Sequence, residues 1–331
     1  MEWPYILVAT ALVTALATVF SIFVERRLGI LCTDVHKVSK PKIPCIGGFG
    51  VLAGLVTGFL LLFANGYMDS AHLEVLLSSV LISFAIGLAD DLLDLKSRWK
   101  IVLGFAPAIP ILLLQAYYPR PWIPMAGYIR ISTLYPLLLL AAFTVYQNGA
   151  NMIDTHNGTL PIFVLSTHIF ALATKLLTGS DIESCLPLLT VIATVLAYTI
   201  FNVYPAKIFN GNTGAFLLGV TIPLMLAMYR LELYYIMASI PMFINGFYYI
   251  ASVKGFLQKE SVKRPTQLDE KGCIHASKDP SAPITLVRLV TGFTKNGLNE
   301  KELVAALYTI FTLSSLISAT LTIALGYRQP P

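Results

Sequence analysis

The sequence predicts an all-α, polytopic membrane protein with about ten transmembrane helices, and three observations carry that prediction. Hydrophobic residues make up 56% of the 331 residues and charged residues only 12%, whereas a soluble domain needs about 25% charged residues to wet its surface. Mean hydropathy is +0.72. Apolar runs of the length a bilayer core demands, about 17 to 25 residues, recur along the whole chain. The same figures exclude a disordered chain, a coiled coil and a disulfide scaffold. Cys32, Cys45, Cys185 and Cys273 are scattered with no CxxC spacing, so they read as buried or free thiols, not as a zinc site or redox pair.

The runs fall at about 5–24, 46–66, 73–89, 101–118, 133–149, 160–178, 185–203, 214–230, 232–252 and 303–326. The first ends in Glu25-Arg26-Arg27 without a small-residue cleavage signature and reads as a retained helix, not a signal peptide. The second follows a basic, proline-containing stretch and a Gly47-Gly48 turn. The third ends in Asp90-Asp91, and the fourth starts after Lys96, Arg98 and Lys100. The fifth runs into Asn148-Gly149, the sixth and seventh flank a short loop, and the eighth begins at Gly214. Between the ninth and tenth lies the one long hydrophilic stretch, about 253–302, with an amphipathic segment near Ile284–Phe293. Loops of that length without regular structure are functional or disordered more often than mere connectors. No internal repeat or linker is visible, so residues 1–331 read as one integral-membrane domain.

With ten spans the loops alternate sides, and 18 of the 23 basic residues fall on one of them. The positive-inside rule makes that side cytoplasmic and puts both termini outside. The outer acids Asp69, Glu74, Asp181, Glu183 and Glu232 are spread singly and read as solvated.

Ionisable groups beside a span are costly and count as functional hypotheses. Four polar clusters lie on the cytoplasmic side. Gly87-Leu88-Ala89-Asp90-Asp91-Leu92-Leu93-Asp94-Leu95-Lys96, followed by Lys100, puts Asp90 and Asp94 on one helical face at i,i+4. Carboxylates this close need a cation among them; a magnesium ion supplies one, and a solvated helix end answered by Lys96, Arg98 and Lys100 is the plainer alternative. Asn148-Gly149-Ala150-Asn151-Met152-Ile153-Asp154-Thr155-His156-Asn157-Gly158 packs hydrogen-bonding side chains between apolar spans; His156 alone carries little weight. Phe201 to Gly214 contains Lys207, Phe209 and Gly211-Asn212-Thr213-Gly214, small residues at a helix start that suit close approach to phosphate. Phe209 could stack on a base or anchor the membrane interface. Lys37 to Gly48 could meet anionic headgroups. Each cluster alone is ambiguous, but all four share one face.

Together, GLADDLLDLKSRWK (87–100), NGANMIDTHNG (148–158), FNVYPAKIFNGNTGAFLLG (201–219) and, more loosely, VHKVSKPKIPCIGG (35–48) resemble the polyprenyl-phosphate N-acetylhexosamine-1-phosphate transferases. They stand in that family's order. The long basic loop without an HxHH run resembles the eukaryotic and archaeal dolichyl-phosphate branch. The resemblance implies transfer of a sugar-1-phosphate from a UDP-sugar to a membrane polyprenyl or dolichyl phosphate, releasing UMP. It implies Mg2+, with Mn2+ as a substitute, no nucleic-acid partner, and a homodimer as an open option. It places the site at the cytoplasmic face of the plasma membrane in a prokaryote, or of the endoplasmic reticulum in a eukaryote.

Carried over by position, Asp90 and Asp91 are the acidic pair nearest the attacking phosphate, with Lys100 on the diphosphate. Asn151, Asp154 and Asn212 hold the metal. Asn157 contacts the nucleotide sugar and Phe209 stacks on uracil; Asp94, Asn148 and Lys207 line the substrate site, and Lys263 and Arg264 close over it. One departure matters: Asn212 stands where the family has an aspartate, replacing a ligating carboxylate by an uncharged amide. A catalytically weak or inactive lipid- or nucleotide-sugar-binding relative is therefore the alternative reading. A secondary transporter fits poorly, because transporters bind near the midplane and often in repeated halves.

Overall fold

The computed structural model describes residues 1–253 and 262–328; part of the hydrophilic loop 253–302, including Lys254 and Lys259, lies outside the described residues. The protein is mostly helical and crosses the membrane several times. In order, α1 (Trp3–Leu28) leads into a hairpin of β1 (Leu31–Thr33) and β2 (Lys42–Pro44), then α2 (Gly48–Ala64) and α3 (Ser70–Leu93). Two short helices follow, α4 (Ser97–Leu103) and α5 (Ile109–Leu113), and a second hairpin, β3 (Trp122–Ile123) and β4 (Gly127–Tyr128). Next come α6 (Tyr135–Ile153), α7 (Thr159–Leu177), α8 (Leu186–Asn202) and α9 (Gly211–Tyr229). The chain closes with α10 (Glu232–Ala238), α11 (Ile240–Val253), β5 (Thr266–Leu268), β6 (Cys273–Ala276), α12 (Leu286–Gly292), β7 (Leu298–Asn299) and α13 (Glu300–Ala324).

Among the described residues, six helices are long and apolar enough to cross a bilayer: α1, α3, α7, α8 with the turn before it, α9 and α13. The pair α10–α11, bent by 58° at Ser239, counts as a seventh only if the two halves form one span, and α2 is a shorter apolar helix. The expected helix over 101–118 is not continuous. Gly104, Pro107 and Pro110 break it into α4, a 3-10 turn and α5, because each proline removes a backbone donor and crowds the preceding turn. Pro241 stands just after the bend of the ninth run.

Helix α9 is the central post. It is apolar on every side and buried from Thr213 to Ala227, as an all-round hydrophobic helix must be, and it packs on α2, α3, α6 and α7. On the seam between α1 and α2, Gly50, Gly54 and Gly58 face Thr18, Thr14 and Thr10. A Cβ on Gly50 or Gly54 would fall 2.0 Å from the threonine hydroxyl. Small residues let membrane helices approach this closely, and the three hydroxyls are satisfied by carbonyls one turn back.

One reading of the outer acids is corrected: Glu232 is buried and accepts from Tyr135 Oη at 2.5 Å. Asp69 stays exposed and also caps α3 by accepting from His72 N at 2.8 Å. The hydrophilic loop carries a three-stranded antiparallel sheet, β5–β6–β7, with α12 packed on β6.

Candidate active site

The end of α3 does two separate jobs. Asp90 is buried; its Oδ1 accepts from Leu95 N at 3.0 Å and its Oδ2 pairs with Lys100 Nζ at 2.8 Å. Lys100 reaches it because the chain reverses after Leu93. Asp94 is therefore not on the helix face with Asp90, as its spacing predicts. It is the exposed left-handed cap residue (φ +48°), a conformation that aspartate tolerates.

Asp91 points elsewhere. Its Oδ1 accepts from Asn212 N at 2.8 Å, and its Oδ2 from Thr213 N at 2.8 Å and Thr213 Oγ1 at 2.5 Å. These amides belong to the first turn of α9, where N–H groups lack helical partners. A carboxylate there also meets the positive end of the helix dipole. Asp91 thus caps α9 from another helix. The residue at the cap position, Asn210, makes no capping bond; its Nδ2 donates to Asp154 Oδ1 at 2.7 Å. Gly211, at φ +65°, leaves no room for a side chain: a Cβ would lie 2.4 Å from Cys45 O and 2.8 Å from Asp91 Oδ2.

The polar turn after α6 is held from several sides. Asn148 Nδ2 donates to Thr144 O at 2.9 Å, within its own helix, and more distantly to Lys100 O at 3.5 Å. Asn151 is partly exposed in the last turn of α6, and Asp154 follows at its cap. Asn157 is buried, with its Nδ2 unpartnered, and its carbonyl accepts from Tyr308 Oη at 2.5 Å. Asn202 ties this turn to the next loop, accepting from Gly158 N at 3.1 Å and donating to Ile208 O at 2.8 Å.

The segment after α1 completes the site. Glu25, buried in the last turn of α1, accepts from Cys45 N at 2.7 Å and Ile46 N at 2.9 Å. Phe209 N donates to Pro44 O and Gly47 N to Phe209 O, fixing the backbone of Phe209. Cys32 and Cys45 form a disulfide, which corrects the reading of four thiols. The β1–β2 register brings their Cα atoms within 5.7 Å, a pairing across 13 residues that CxxC spacing does not report.

Lys37 is clasped by the buried Asp34 and, at 3.2 Å, by Glu300 at the start of α13, with its ammonium 5.2 Å from the Tyr204 ring centroid. Burial works against that ammonium, but its two carboxylate partners outweigh it and hold its pKa above the ordinary lysine value. Beside it the His36 and His156 rings stack at 4.0 Å. Burial pushes the His36 pKa below its ordinary value against the pull of Asp34, with Arg264 and Lys37 also lowering it. His156 is held well down by burial, then by the charges of His36 and Lys37.

The outlying basic residues are more exposed. Lys207 Nζ lies 5.9 Å from the Phe201 ring centroid. Lys263 pairs with Asp279 at 2.5 Å, and Arg264 is exposed. Sequence reasoning missed Glu25, Asp34, His36, Asn202, Asn210 and Glu300. The usable signal was that each is polar and stands at the edge of an apolar run.

Among the described residues no three His, Cys, Asp or Glu side chains are grouped to hold a metal. Magnesium, however, takes oxygen ligands and is held through one or two carboxylates plus substrate phosphates. Asp154, Asn151 and Asn212 offer one carboxylate and two amides, an oxygen set within that range. Asn210 Nδ2 donates to Asp154, and the Oδ1 of the same amide is buried without a donor among the described residues. By donor type, oxygens of carboxylate and amide, these residues suit a hard dication.

The structure is thus a polytopic helical bundle that carries anionic, amide and basic groups on the loops between its helices. The profile of Glycosyl transferase family 4 matches residues 73–230. A Saccharolobus solfataricus protein named as a UDP-N-acetylglucosamine–dolichyl-phosphate N-acetylglucosaminephosphotransferase is 31% identical over 63% of this chain and 66% of its own length. The Sulfolobus acidocaldarius protein of the same name is 28% identical over 62% and 65%. A Bacillus subtilis protein named as an undecaprenyl-phosphate N-acetylglucosaminyl 1-phosphate transferase is 26% identical over 81% and 76%. The match spans just under two thirds of the two archaeal relatives' length. The chain belongs to glycosyl transferase family 4, the polyprenyl-phosphate N-acetylhexosamine-1-phosphate transferases.

Proposed function

We propose that the chain, as a single domain over 1–331, transfers N-acetylhexosamine-1-phosphate from a UDP-sugar to a membrane polyprenyl phosphate, with GlcNAc favoured by the names of its relatives. The reading includes ten spans, both termini outside and the site at the cytoplasmic face, supported by the basic loops. The observation that carries it is the set of direct contacts joining the three main motifs: Asp91 to Asn212 and Thr213, Asp154 to Asn210, and Lys100 to both Asp90 and Asn148.

In this reaction an oxygen of the lipid phosphate attacks the sugar-bearing phosphorus of the UDP-sugar. A new P–O–P linkage forms, the bridge to the uridine-bearing phosphate breaks, and its electron pair leaves with UMP. Both reactants are anionic, so the protein's work is positioning and charge neutralisation. Lys100 carries positive charge to the diphosphate and Asp90 holds it in place. Asp91 aims the first turn of α9, and with it Asn212. Asn151, Asp154 and Asn212 would hold Mg2+, or Mn2+ in its place, which would supply positive charge against the diphosphate. Phe209 stacks on uracil and Asn157 contacts the nucleotide sugar. Asp94, Asn148 and Lys207 border the pocket, and Lys263 and Arg264 close over the diphosphate.

The test is UMP release from UDP-GlcNAc by membranes holding the protein. Release requires both polyprenyl phosphate and magnesium, and no release across a broad magnesium range ends the reading. A second reading, binding without turnover, is favoured by one observation, the amide of Asn212 in place of a carboxylate. Tight UDP-sugar binding with no UMP formed would establish it instead.

A further inference from the structure

The β3–β4 hairpin lies between α5 and α6, at the opposite end of α6 from Asn151 and Asp154. Its register pairs Trp122 with Tyr128 and Ile123 with Gly127. The ladder continues outward through Ile129 N to Pro121 O at 3.1 Å and Ile131 N to Pro119 O at 2.9 Å. That register sets Arg120 directly opposite Arg130, at a position between two hydrogen-bonded pairs, where antiparallel side chains stand closest. Like charges so placed are destabilising. Among the described residues neither guanidinium meets a carboxylate; Arg130 Nε donates to Ser132 Oγ at 2.8 Å. A third cation, Arg230, sits 3.7 Å over the Tyr118 ring nearby.

The hairpin has two unlike faces. Trp122 is buried, with its ring 5.4 Å from that of Tyr327, and Tyr128 Oη donates to Arg328 O. On the other face Ile123, Ile129 and the tip residue Met125 are exposed at 43%, 37% and 105%. The two-residue period sets the arginine pair on the Trp122–Tyr128 side at the base of the hairpin, and an apolar tip and outer face above such an uncompensated pair are costly in water. They are matched at the boundary between acyl chains and headgroups, where aromatic rings and arginines concentrate. At about 3.3 Å per residue, Met125 lies on the order of 15 Å along the strand from Arg120, comparable to half a hydrocarbon core of about 30 Å.

We propose that this hairpin is a lipid-docking surface: Ile123, Met125 and Ile129 sit among the acyl chains, and Arg120 and Arg130 together hold the phosphate of an anionic phospholipid. Guanidinium groups suit this role because their planar fork matches phosphate oxygens. The bound phosphate removes the repulsion that the register creates.

Two measurements on the full chain test it. Met125→Cys in a Cys273→Ser background, labelled with bimane and reconstituted in phosphatidylcholine–phosphatidylglycerol liposomes, gives blue-shifted emission that doxyl-labelled lipid quenches. In lipid-free detergent Arg130→Ala melts at or above the wild-type temperature. On addition of phosphatidylglycerol it loses at least half of the wild-type gain in melting temperature, and Arg120→Ala behaves alike. A label that emits as in water overturns the proposal. So does a label shielded from water but not quenched by doxyl lipid, which would place a second copy of the chain on this face. So does an equal gain in wild type and both variants.

Discussion

Asp91, at the end of α3, accepts hydrogen bonds from both the backbone amide and the hydroxyl of Thr213, at 2.8 and 2.5 Å, 122 residues further along the chain. The conspicuous acid of the Asp90-Asp91 pair is thus spent on opening the central helix. It also holds the backbone amide of Asn212, at 2.8 Å. Asp91→Asn removes charge and acceptor capacity together. Loss of a helix cap costs about 0.5–2 kcal/mol, so the variant melts lower and releases UMP at least tenfold more slowly. An unchanged melting temperature in a thermal scan would refute the capping role.

Lys100 and Asp90 form a half-shielded pair, with the lysine side chain 20% exposed and the carboxylate fully buried. Removing one partner from a buried pair costs roughly 3–5 kcal/mol, and the residual exposure of Lys100 puts this pair at or below the lower end. Lys100→Met lowers both stability and turnover. Adding Asp90→Asn restores much of the stability but not the activity, because the diphosphate still lacks its cation. Denaturation midpoints and UMP release on the single and double variants separate the two effects.

Asn212 presents an uncharged oxygen where a carboxylate would bind a hard cation more tightly. Asn212→Asp should reduce the magnesium concentration needed for half-maximal rate, with manganese following the same trend. A magnesium titration with an unchanged midpoint would remove Asn212 from the ligand set.

His36 is half-buried and stacked on His156, with Asp34, Lys37 and Arg264 as its charged neighbours. Its folded pKa is lowered, so below about pH 6.5 the unfolded chain binds a proton that the folded chain resists, and stability falls as pH falls. His36→Phe, which keeps the stacking plane without the titration, should flatten the decline in melting temperature between neutral pH and pH 5. An equally steep decline would assign it to other groups.

The disulfide closes a loop between residues 13 apart, and for a loop of that size the chain-entropy estimate is about 3 kcal/mol. Cys32→Ser should melt several degrees lower and raise the KM for the UDP-sugar, since Cys45 adjoins the Pro44–Phe209 bond. Thiol counting before and after reduction of the wild type checks that the bridge is present.

Much of the membrane architecture was legible because its signal is local. Long apolar runs announce α1, α3, α7, α8, α9 and α13. Breaks within a run were harder. The run over 101–118 is apolar throughout, and only Gly104, Pro107 and Pro110 separate α4 from α5. The polar clusters could be found by their position at span ends, but their pairings could not. Whether Asp91 faces a substrate or the first turn of α9 depends on how α3 packs on α9, and nothing in DDLLD encodes that. Asp94 was misplaced for a related reason: i,i+4 spacing assumes a helix that had already ended at Leu93. The Cys32–Cys45 bridge depends on hairpin register, which a short pair of strands does not reveal.

The glycine–threonine seam between α1 and α2 has a consequence for the loop that follows α1. Gly50, Gly54 and Gly58 admit nothing larger than a hydrogen opposite Thr18, Thr14 and Thr10, so sliding one helix by a single residue would bring bulk against bulk. The seam therefore has one permitted setting, like teeth on a ratchet. The height at which Glu25 presents its carboxylate to Cys45 and Ile46 is decided in mid-bilayer, several turns below the place where it is used.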